Sequence, residues 1–267
     1  MSRDPRARVL IIIATLGRRP EYLDQTIRSI RSQPVLTDLV LVAPTDSDHI
    51  QAISAKYSIP VLPDPGSLPL AINRGAEALK PHHDYLNWLN DDDYLEPDTM
   101  KEVLSALDAD PTAVVAFGHC RYVDTEDREI WVSRAGSFAP KILPWGPDLI
   151  PQPGMLVRAT AWHEVGGVNP SFDLAFDLDL LLRLKKNGKL ICVNRVVSNF
   201  RWHPDSLTVE DRNKNLRESE RAKRAALPKI LRPVSWVWDV PVRVAIKFAA
   251  QRVTETAQRQ SSGHAHD

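Results

Sequence analysis

The 267-residue sequence has little cysteine, no excess of either charge and no long apolar run near its N-terminus. Its two cysteines, Cys120 and Cys192, are too few for a disulfide framework or a cysteine-based zinc site, which favours a reducing compartment. The 34 basic residues are balanced by 34 acidic residues, which argues against a nucleic-acid partner. The apolar run at residues 9–14 is too short for a signal peptide or a membrane span. We therefore expect a protein made in the cytoplasm, soluble or peripheral to a membrane.

The order of the elements predicted along the first half of the chain indicates an α/β fold. An uninterrupted β-branched run at residues 9–14 is typical of a strand buried on both faces, and apolar residues recur at helical spacing in residues 20–33. Further strands are predicted at residues 39–42, 59–62 and 85–89, and helices at residues 46–56 and 68–79. This alternation predicts a Rossmann-like, mainly parallel sheet flanked by helices, with ligands beyond the carboxyl ends of its strands.

The second half continues this pattern with one interruption. Residues 139–154 contain five prolines and are predicted to be irregular. We predict helices at residues 97–107 and within residues 172–187, the latter ending at Gly188, and strands at residues 113–119, 130–133, 155–158 and 189–197.

The neutral total conceals segments of opposite charge. Residues 212–259 hold 12 basic and 4 acidic residues, so this segment is basic and the rest of the chain is acidic. We predict one domain at residues 1–210, a basic amphipathic helical extension at residues 211–260 and a disordered tail at residues 261–267.

Three consecutive aspartates at residues 91–93 follow the strand predicted at residues 85–89. Adjacent carboxylates repel one another, and a divalent cation such as Mn²⁺ or Mg²⁺ relieves this repulsion by taking their oxygens as ligands. The alternative is a solvated turn in which Asp93 or Glu96 stabilises the start of the helix near Pro97. The triplet alone fits both interpretations.

Several segments in order resemble family 2 glycosyltransferases of the GT-A fold. Residues 85–98, YLNWLNDDDYLEPD, resemble the Asp-x-Asp segment of that family, and residues 70–75, LAINRG, resemble the stretch before it. Residues 172–183, FDLAFDLDLLLR, follow Gly166-Gly167 and resemble the segment that carries the catalytic base. Residues 9–33 look like the first nucleotide-binding unit, and residues 200–203, FRWH, like the late metal-ligand segment. The resemblance covers about residues 8–207, with a nucleotide-binding half at about 8–110 and an acceptor-side half at about 111–210.

The resemblance implies which residues hold the metal and the donor. Asn90 matches the first Asp-x-Asp position, so it loses the charge of the usual aspartate but keeps an oxygen ligand. The implied ligands of Mn²⁺ or Mg²⁺ are Asp92, Asp93, His203 and Asn90. The implied contacts to a nucleotide-sugar donor are Thr15, Leu16, Arg18, Asn73, Asp92 and, at the variable position, Asp91. Because the second strand lacks the family's usual terminal acidic pair, Asp46 or Asp48 is expected to substitute from a shifted position.

The same resemblance makes Asp177 the catalytic base, since it aligns with the carboxylate that takes the proton of the acceptor hydroxyl. Asp179 lies four residues before Arg183 and is predicted to form a helical ion pair with it. Asp173 is expected either to bind the acceptor or to cap the helix. Residues 139–154 are either a lid with Trp145 and Gln152 against the acceptor or a plain surface loop.

We therefore predict a metal-dependent inverting glycosyltransferase that moves a sugar from a nucleotide-sugar donor to a saccharide or lipid-linked glycan, in cell-envelope polysaccharide biosynthesis. One alternative is a sugar nucleotidyltransferase, although such an enzyme needs a glycine-rich loop and residues 14–19 contain one glycine. The other is a catalytically inactive glycan-binding or scaffold protein.

The C-terminal extension has more than one interpretation. A helix predicted from Asp239 onward has a basic side and an apolar side, with Trp236 and Trp238 upstream. It fits an anionic membrane surface at the inner face of the plasma membrane, a helix packed on its own domain, or a homodimer contact.

Overall fold

The computed structural model describes residues 7–202, apart from 135 and 137, and residues 212–244, apart from 240 and 242. The strands are β1 (Val9–Ala14), β2 (Thr37–Ala43), β3 (Val61–Pro63), β4 (Tyr85–Asn90), β5 (Tyr94–Leu95), β6 (Ala113–Val123), β7 (Glu129–Ser133), β8 (Leu156–Arg158) and β9 (Lys189–Arg201). The helices are α1 (Pro20–Arg31), α2 (Asp48–Tyr57), α3 (Leu68–Ala76), α4 (Met100–Ala109), α5 (Ala139–Ile142), α6 (Ala159–Val165), α7 (Phe176–Asn187) and α8 (Arg212–Ala226).

These strands form one mixed sheet in the order β3-β2-β1-β4-β8-β6-β9-β5, and β7 pairs with β6. Strands β1 to β4, β6 and β9 run in the same direction, while β5, β7 and β8 run against them. The predicted mainly parallel sheet is therefore confirmed. Because the parallel strands share a direction, the segments that follow β1, β4, β6 and β9 meet at one edge of the sheet.

Helices cover both faces of the sheet, and this explains why the sequence of β1 is apolar throughout. Leu10 and Ile12 belong to one apolar core, whereas Val9, Ile11 and Ile13 belong to the other, on the opposite face. Alternating side chains of a strand point to opposite faces, so a strand covered twice has no polar position. The structure places β1 at the predicted residues.

Three local predictions need correction. Residues 139–154 are not wholly irregular, since α5 forms one helical turn there and Pro140 occupies its first turn, where proline is tolerated. Helix α6 and the two-residue strand β5 were not predicted. Strands β6 and β9 both run four residues past their predicted ends, because their charged and aromatic residues pair across the two strands there.

The first part of the predicted extension packs on the domain, because α8 lies against α7. Within the described residues, no helix is long and apolar enough to cross a membrane. His203, most of the helix predicted after Asp239 and the tail predicted at residues 261–267 lie outside the described residues.

Candidate active site

The aspartate segment after β4 lies beside the loop after β1. The Thr15 hydroxyl donates a hydrogen bond to the Asp91 carboxylate. The Gly17 backbone N–H donates in turn to Thr15 Oγ1 at 2.9 Å, and Gly17 has a φ of 70°, which favours glycine. Arg19 Nη1 lies 3.5 Å from Asp92 Oδ2. The two loops therefore form one polar crevice at the carboxyl ends of β1 and β4.

Asp93 points into the protein rather than into this crevice. Its side chain is fully buried, with one oxygen accepting from the Arg201 backbone N–H at 3.1 Å and the other from Asn90 Nδ2 at 3.1 Å. Burial and the neighbouring Asp92 carboxylate raise the pKa of Asp93 well above its usual range. Asp93, which the resemblance implies as a metal ligand, thus uses both carboxylate oxygens within the protein and ties the aspartate segment to β9.

Arg201 supports the same segment from beneath. Its guanidinium group is 1% exposed and donates to the carbonyl oxygens of Asp92 at 3.2 Å and Asp124 at 3.1 Å. It also donates to Gln25 Oε1 at 2.7 Å, and its Cζ lies 4.1 Å from the centroid of the Tyr22 ring. An arginine is rarely buried without such partners. The sequence did not predict this role of Arg201, which was noted only within the FRWH segment, because its partners are far away along the chain.

The aspartate segment fits a divalent cation. Burial raises the pKa of Asp91, and the adjacent Asp92 carboxylate raises it further. A cation at this segment would offset the repulsion among the three carboxylates, and the oxygens of Asp92 and Asn90 are hard ligands suited to Mn²⁺ or Mg²⁺.

A second group of potential metal ligands, Asp38, His82 and His83, lies at the opposite edge of the sheet, near the start of β2. Their ligand atoms all lie within 4.8 Å of one another. The Lys80 backbone N–H donates to His83 Nδ1 at 2.9 Å, so the ring proton sits on Nε2, which lies 3.0 Å from Asp38 Oδ2. A metal-bound histidine uses one ring nitrogen as the ligand and donates from the other. This geometry fits a structural hydrogen bond better than a metal site.

Asp177 lies in the first turn of α7, and its Oδ1 accepts from the Leu178 backbone N–H at 2.8 Å. Burial raises its pKa to about 6. Asp148, from residues 139–154, lies close enough for the Asp177 charge to raise its pKa, although burial contributes more. No sequence pattern connects Asp148 with Asp177, because a loop carboxylate carries no local signal. The two form a pair of partly buried, interacting carboxylates.

Glu218 of α8 holds the segment that leads into α7. Its Oε2 accepts three backbone hydrogen bonds, from Asp173 at 3.0 Å, Leu174 at 2.8 Å and Ala175 at 3.1 Å. Glu218 is 9% exposed, so this carboxylate satisfies the N–H groups at the start of α7 away from water. The extension therefore fixes the backbone immediately before Asp177.

The sequence of residues 10–164 matches the family model described as Glycosyl transferase family 2, and the match covers more than half of the chain. The chain belongs to glycosyl transferase family 2. The resemblance to family 2 glycosyltransferases is thereby confirmed, and the segments at residues 172–183 and 200–203 lie beyond the matched residues.

Two curated relatives from Pasteurella multocida are similar to this family 2 chain over part of their length. The chondroitin synthase of strain Pm70 is 26% identical over 136 residues, which cover 48% of this chain and 13% of the relative. A hyaluronan synthase is 26% identical over 135 residues, which cover 47% of this chain and 13% of the relative. The match thus spans a small part of either synthase.

Solved structures share the fold of this family 2 chain at low identity. S. aureus TarS in complex with UDP has a TM-score of 0.61 at 14% identity, covering 82% of this chain and 65% of that one. Mannosyltransferase PcManGT from Pyrobaculum calidifontis, in complex with GDP-Man and Mn²⁺, has a TM-score of 0.63 at 15% identity, covering 97% of this chain and 80% of that one. The predicted GT-A type α/β fold is confirmed.

The residues that the family resemblance assigned to the donor lie in different surroundings. Leu16 and Arg18 are exposed beside the crevice, and Asp46 is exposed after β2. Asn73 uses both atoms of its amide on the backbone of Val168, donating to the carbonyl oxygen at 2.8 Å and accepting from the N–H at 2.9 Å. In this family 2 chain, Asn73 therefore joins α3 to the segment after α6.

The predicted acceptor residues are also held by protein contacts. Gln152 Nε2 donates to the Trp88 carbonyl oxygen at 2.6 Å. The Trp145 ring packs edge-on against Trp238, with 5.0 Å between the ring centroids. The Asp173 carboxylate pairs with Lys214 at 2.6 Å. The predicted ion pair of Asp179 and Arg183 is confirmed at 2.8 Å.

Proposed function

We propose that this chain is a metal-dependent inverting glycosyltransferase that uses a nucleotide-sugar donor and a saccharide or lipid-linked glycan acceptor in cell-envelope polysaccharide biosynthesis. The observation that carries the proposal is that β9 contacts both the aspartate segment and residues 139–154. Arg201 bonds Asp92 and Asp93, and Ser198 of the same strand donates to the Pro153 carbonyl oxygen at 2.6 Å. These contacts support a donor side and an acceptor side that lie close together.

On the donor side, we assign the crevice between Thr15 and Asp92 to the nucleotide diphosphate. The relatives support this assignment, because TarS is known in complex with UDP and PcManGT in complex with GDP-Man and Mn²⁺. Asp92 and Asn90 would hold the cation, with His203 as a further ligand and Asp93 as a buried support. When bound, Mn²⁺ or Mg²⁺ supplies positive charge that neutralises the leaving diphosphate.

On the acceptor side, Asp177 takes the proton of the attacking hydroxyl. The hydroxyl oxygen forms the new bond to the anomeric carbon while the bond from that carbon to the diphosphate oxygen breaks, which inverts the configuration. A base works best with a pKa near the operating pH, and burial brings the pKa of Asp177 closer to neutrality.

The test of this function is a thermal-shift panel of UDP-, GDP- and dTDP-sugars with and without Mn²⁺. We expect one nucleotide class to stabilise the protein, and Mn²⁺ to enlarge the shift. A sugar nucleotidyltransferase would instead release pyrophosphate from a nucleoside triphosphate and a sugar phosphate. An inactive scaffold would bind glycan without nucleotide. Release of pyrophosphate, or glycan binding without nucleotide binding, would contradict the proposal.

We also propose that the C-terminal segment binds an anionic membrane surface. A cavity of about 360 Å³ lies on α8 and the turn after it, lined by Arg217, Glu220, Arg221, Arg224, Ala225 and Arg232. Glu220 is already paired with Arg243 at 2.6 Å, so the lining is strongly basic. Ile230 and Trp236, on the segment that follows α8, are 84% and 63% exposed. Basic and exposed apolar side chains together are typical of an interfacial segment.

A further inference from the structure

An aromatic row crosses three adjacent strands beside the proposed base. Tyr122 of β6 lies directly opposite Trp131 of β7 and Phe200 of β9. The ring centroids of both pairs are 5.2 Å apart, and the Trp202 ring lies 6.4 Å from that of Tyr122. Residues opposite one another on neighbouring strands point to the same face of a sheet. The four rings, Tyr122, Trp131, Phe200 and Trp202, therefore form one row, named here the aromatic row.

The aromatic row is not part of the packed apolar cores of the protein. None of its rings belongs to either apolar core of the described residues, and Trp131 is 47% exposed. The other three rings are partly buried. A contiguous aromatic surface that is open to solvent along part of its length is uncommon on a monomer and marks a place where another molecule binds.

The strand register places the aromatic row on the face of the sheet away from α1. Arg201 follows Phe200 and points to the other face, where it contacts the Tyr22 ring of α1. Ser198 precedes Phe200 by two residues and so shares its face, and its hydroxyl donates to the Pro153 carbonyl oxygen at 2.6 Å. The loop that carries Asp148 therefore lies on the same face as the row.

The aromatic row and the proposed donor site lie on different strands, and Arg201, between Phe200 and Trp202, contacts the aspartate segment from the opposite face of the sheet. The crevice between Thr15 and Asp92 lies at the ends of β1 and β4, whereas the row crosses β6, β7 and β9. The row shares its face with residues 139–154, which contact β9 through Ser198 and Pro153, and α7, the helix of Asp177, through Lys185 and the Pro140 carbonyl oxygen. A molecule bound on the row would lie next to the proposed base.

The chemistry of the row selects a saccharide. Aromatic faces carry negative charge density, and the faces of a sugar ring present C–H groups that such a surface attracts. The row spans two interstrand spacings, about 10 Å in all, which is more than a single contact requires. Asp148 and the Tyr122 hydroxyl add polar groups beside the rings for sugar hydroxyls.

We propose that the aromatic row, Tyr122, Trp131, Phe200 and Trp202, is an acceptor subsite on which the sugar rings of a saccharide chain stack next to Asp177. This inference rests on the proposed function, because it names the substrate that the base deprotonates. Trp131 is the best residue for a test, since its exposure makes a substitution tolerable to the fold.

The experiment measures saturation transfer by NMR from the protein to cellotetraose, maltotetraose, chitotetraose and a hyaluronan tetrasaccharide. We expect at least one to bind the wild type, and Trp131→Ala to weaken that binding roughly tenfold, as the loss of one aromatic contact implies. Trp131→Phe should retain most of the affinity. Trp236→Ala, which removes an exposed tryptophan outside the row, should leave binding unchanged.

Two results of the saccharide measurement would overturn the subsite. One is a wild type that binds none of the four tetrasaccharides, and the other is Trp131→Ala binding them as tightly as the wild type. UDP and GDP with Mn²⁺ are measured in parallel by thermal shift. If Trp131→Ala lost nucleotide binding instead, the row would be a base-stacking site and the inference would be wrong. If the wild type bound saccharide but no nucleotide, the row would stand and the proposed glycosyl transfer would fail.

Discussion

The Arg201 side chain donates a hydrogen bond from Nε to the backbone carbonyl oxygen of Asp92, 3.2 Å away. This contact joins the end of β9 to the aspartate segment after β4, and the Arg201 backbone N–H bonds Asp93 as well. The positions of the aspartates therefore depend on the buried guanidinium group of Arg201, which does not itself face the crevice. Arg201 is a support for the proposed metal and donor site.

Arg201→Met should disturb both the fold and nucleotide binding. The change leaves buried carbonyl oxygens and the Gln25 side chain without a donor, so the free energy of unfolding should fall by about 3 kcal/mol. Urea unfolding measures this loss. Arg195→Met on the same strand is the control, because Arg195 is exposed and its pairing with Glu102 should contribute under about 1 kcal/mol. Equal losses in the two variants would contradict the supporting role of Arg201.

Glu218→Ala should lower turnover more than it lowers donor affinity. Without the carboxylate, three backbone N–H groups before α7 lose their acceptor, and Asp177 is no longer held in one position. We expect kcat to fall about tenfold, as misplacement of a base implies, while KM for the donor stays near its wild-type value. Steady-state kinetics checks this, with Glu220→Ala on the same helix as the control. A change in the KM for the donor, with kcat unchanged, would contradict this role of Glu218.

The pH dependence of transfer should show the raised pKa of Asp177. The base acts only when ionised, so activity should be lost as the pH falls through about 6, where Asp177 becomes protonated. The Asp177 charge raises the pKa of Asp148 to about 7, whereas Asp148 does not raise that of Asp177, so Asp148→Asn should leave the acid limb of the kcat/KM profile near pH 6. Asp110→Asn, at the opposite edge of the sheet, should leave the limb in place. An acid limb near pH 4 in the wild type would contradict a buried base.

Membrane binding should depend on the arginine-lined cavity of α8. We expect the protein to sediment with vesicles that contain phosphatidylglycerol but not with pure phosphatidylcholine. Salt at 0.5 M should release it, because the Debye length at that ionic strength is only about 4 Å. Each arginine near the surface contributes about 1 kcal/mol, so Arg217→Gln with Arg232→Gln should weaken binding by more than tenfold. Arg31→Gln on α1 is the control. Equal binding to vesicles with and without phosphatidylglycerol would contradict this mode of attachment.

The sequence predicted those features that depend on neighbouring residues. Strand β1 was placed correctly because a doubly covered strand is apolar throughout, and the Asp179–Arg183 pair follows from helical spacing. By contrast, the partners of Glu218 lie at least 43 positions away, and Arg201 contacts Gln25 across 176 positions. Such contacts are set by the packing of distant segments, for which a single sequence carries no periodic signal.

The aromatic row shows the same limit in another way. Phe200 and Trp202 were noticed only within the FRWH segment, and Trp131 carried no motif at all. Their relation to Tyr122 appears only when β6, β7 and β9 are in register. For Asn73, the sequence motif led to a different interpretation from the structure. The motif predicted a contact with the donor, whereas the Asn73 amide forms a hydrogen bond with the Val168 backbone.

The most direct test of the account is the turnover of Asp177→Asn, measured as transfer of radiolabelled sugar from the donor found in the thermal-shift panel. The amide keeps the shape of the side chain but cannot take a proton. We predict a loss of about 10²–10⁴-fold in kcat, with Mn²⁺-dependent nucleotide binding unchanged. Near-normal transfer by Asp177→Asn would show that Asp177 is not the base and would contradict the central claim.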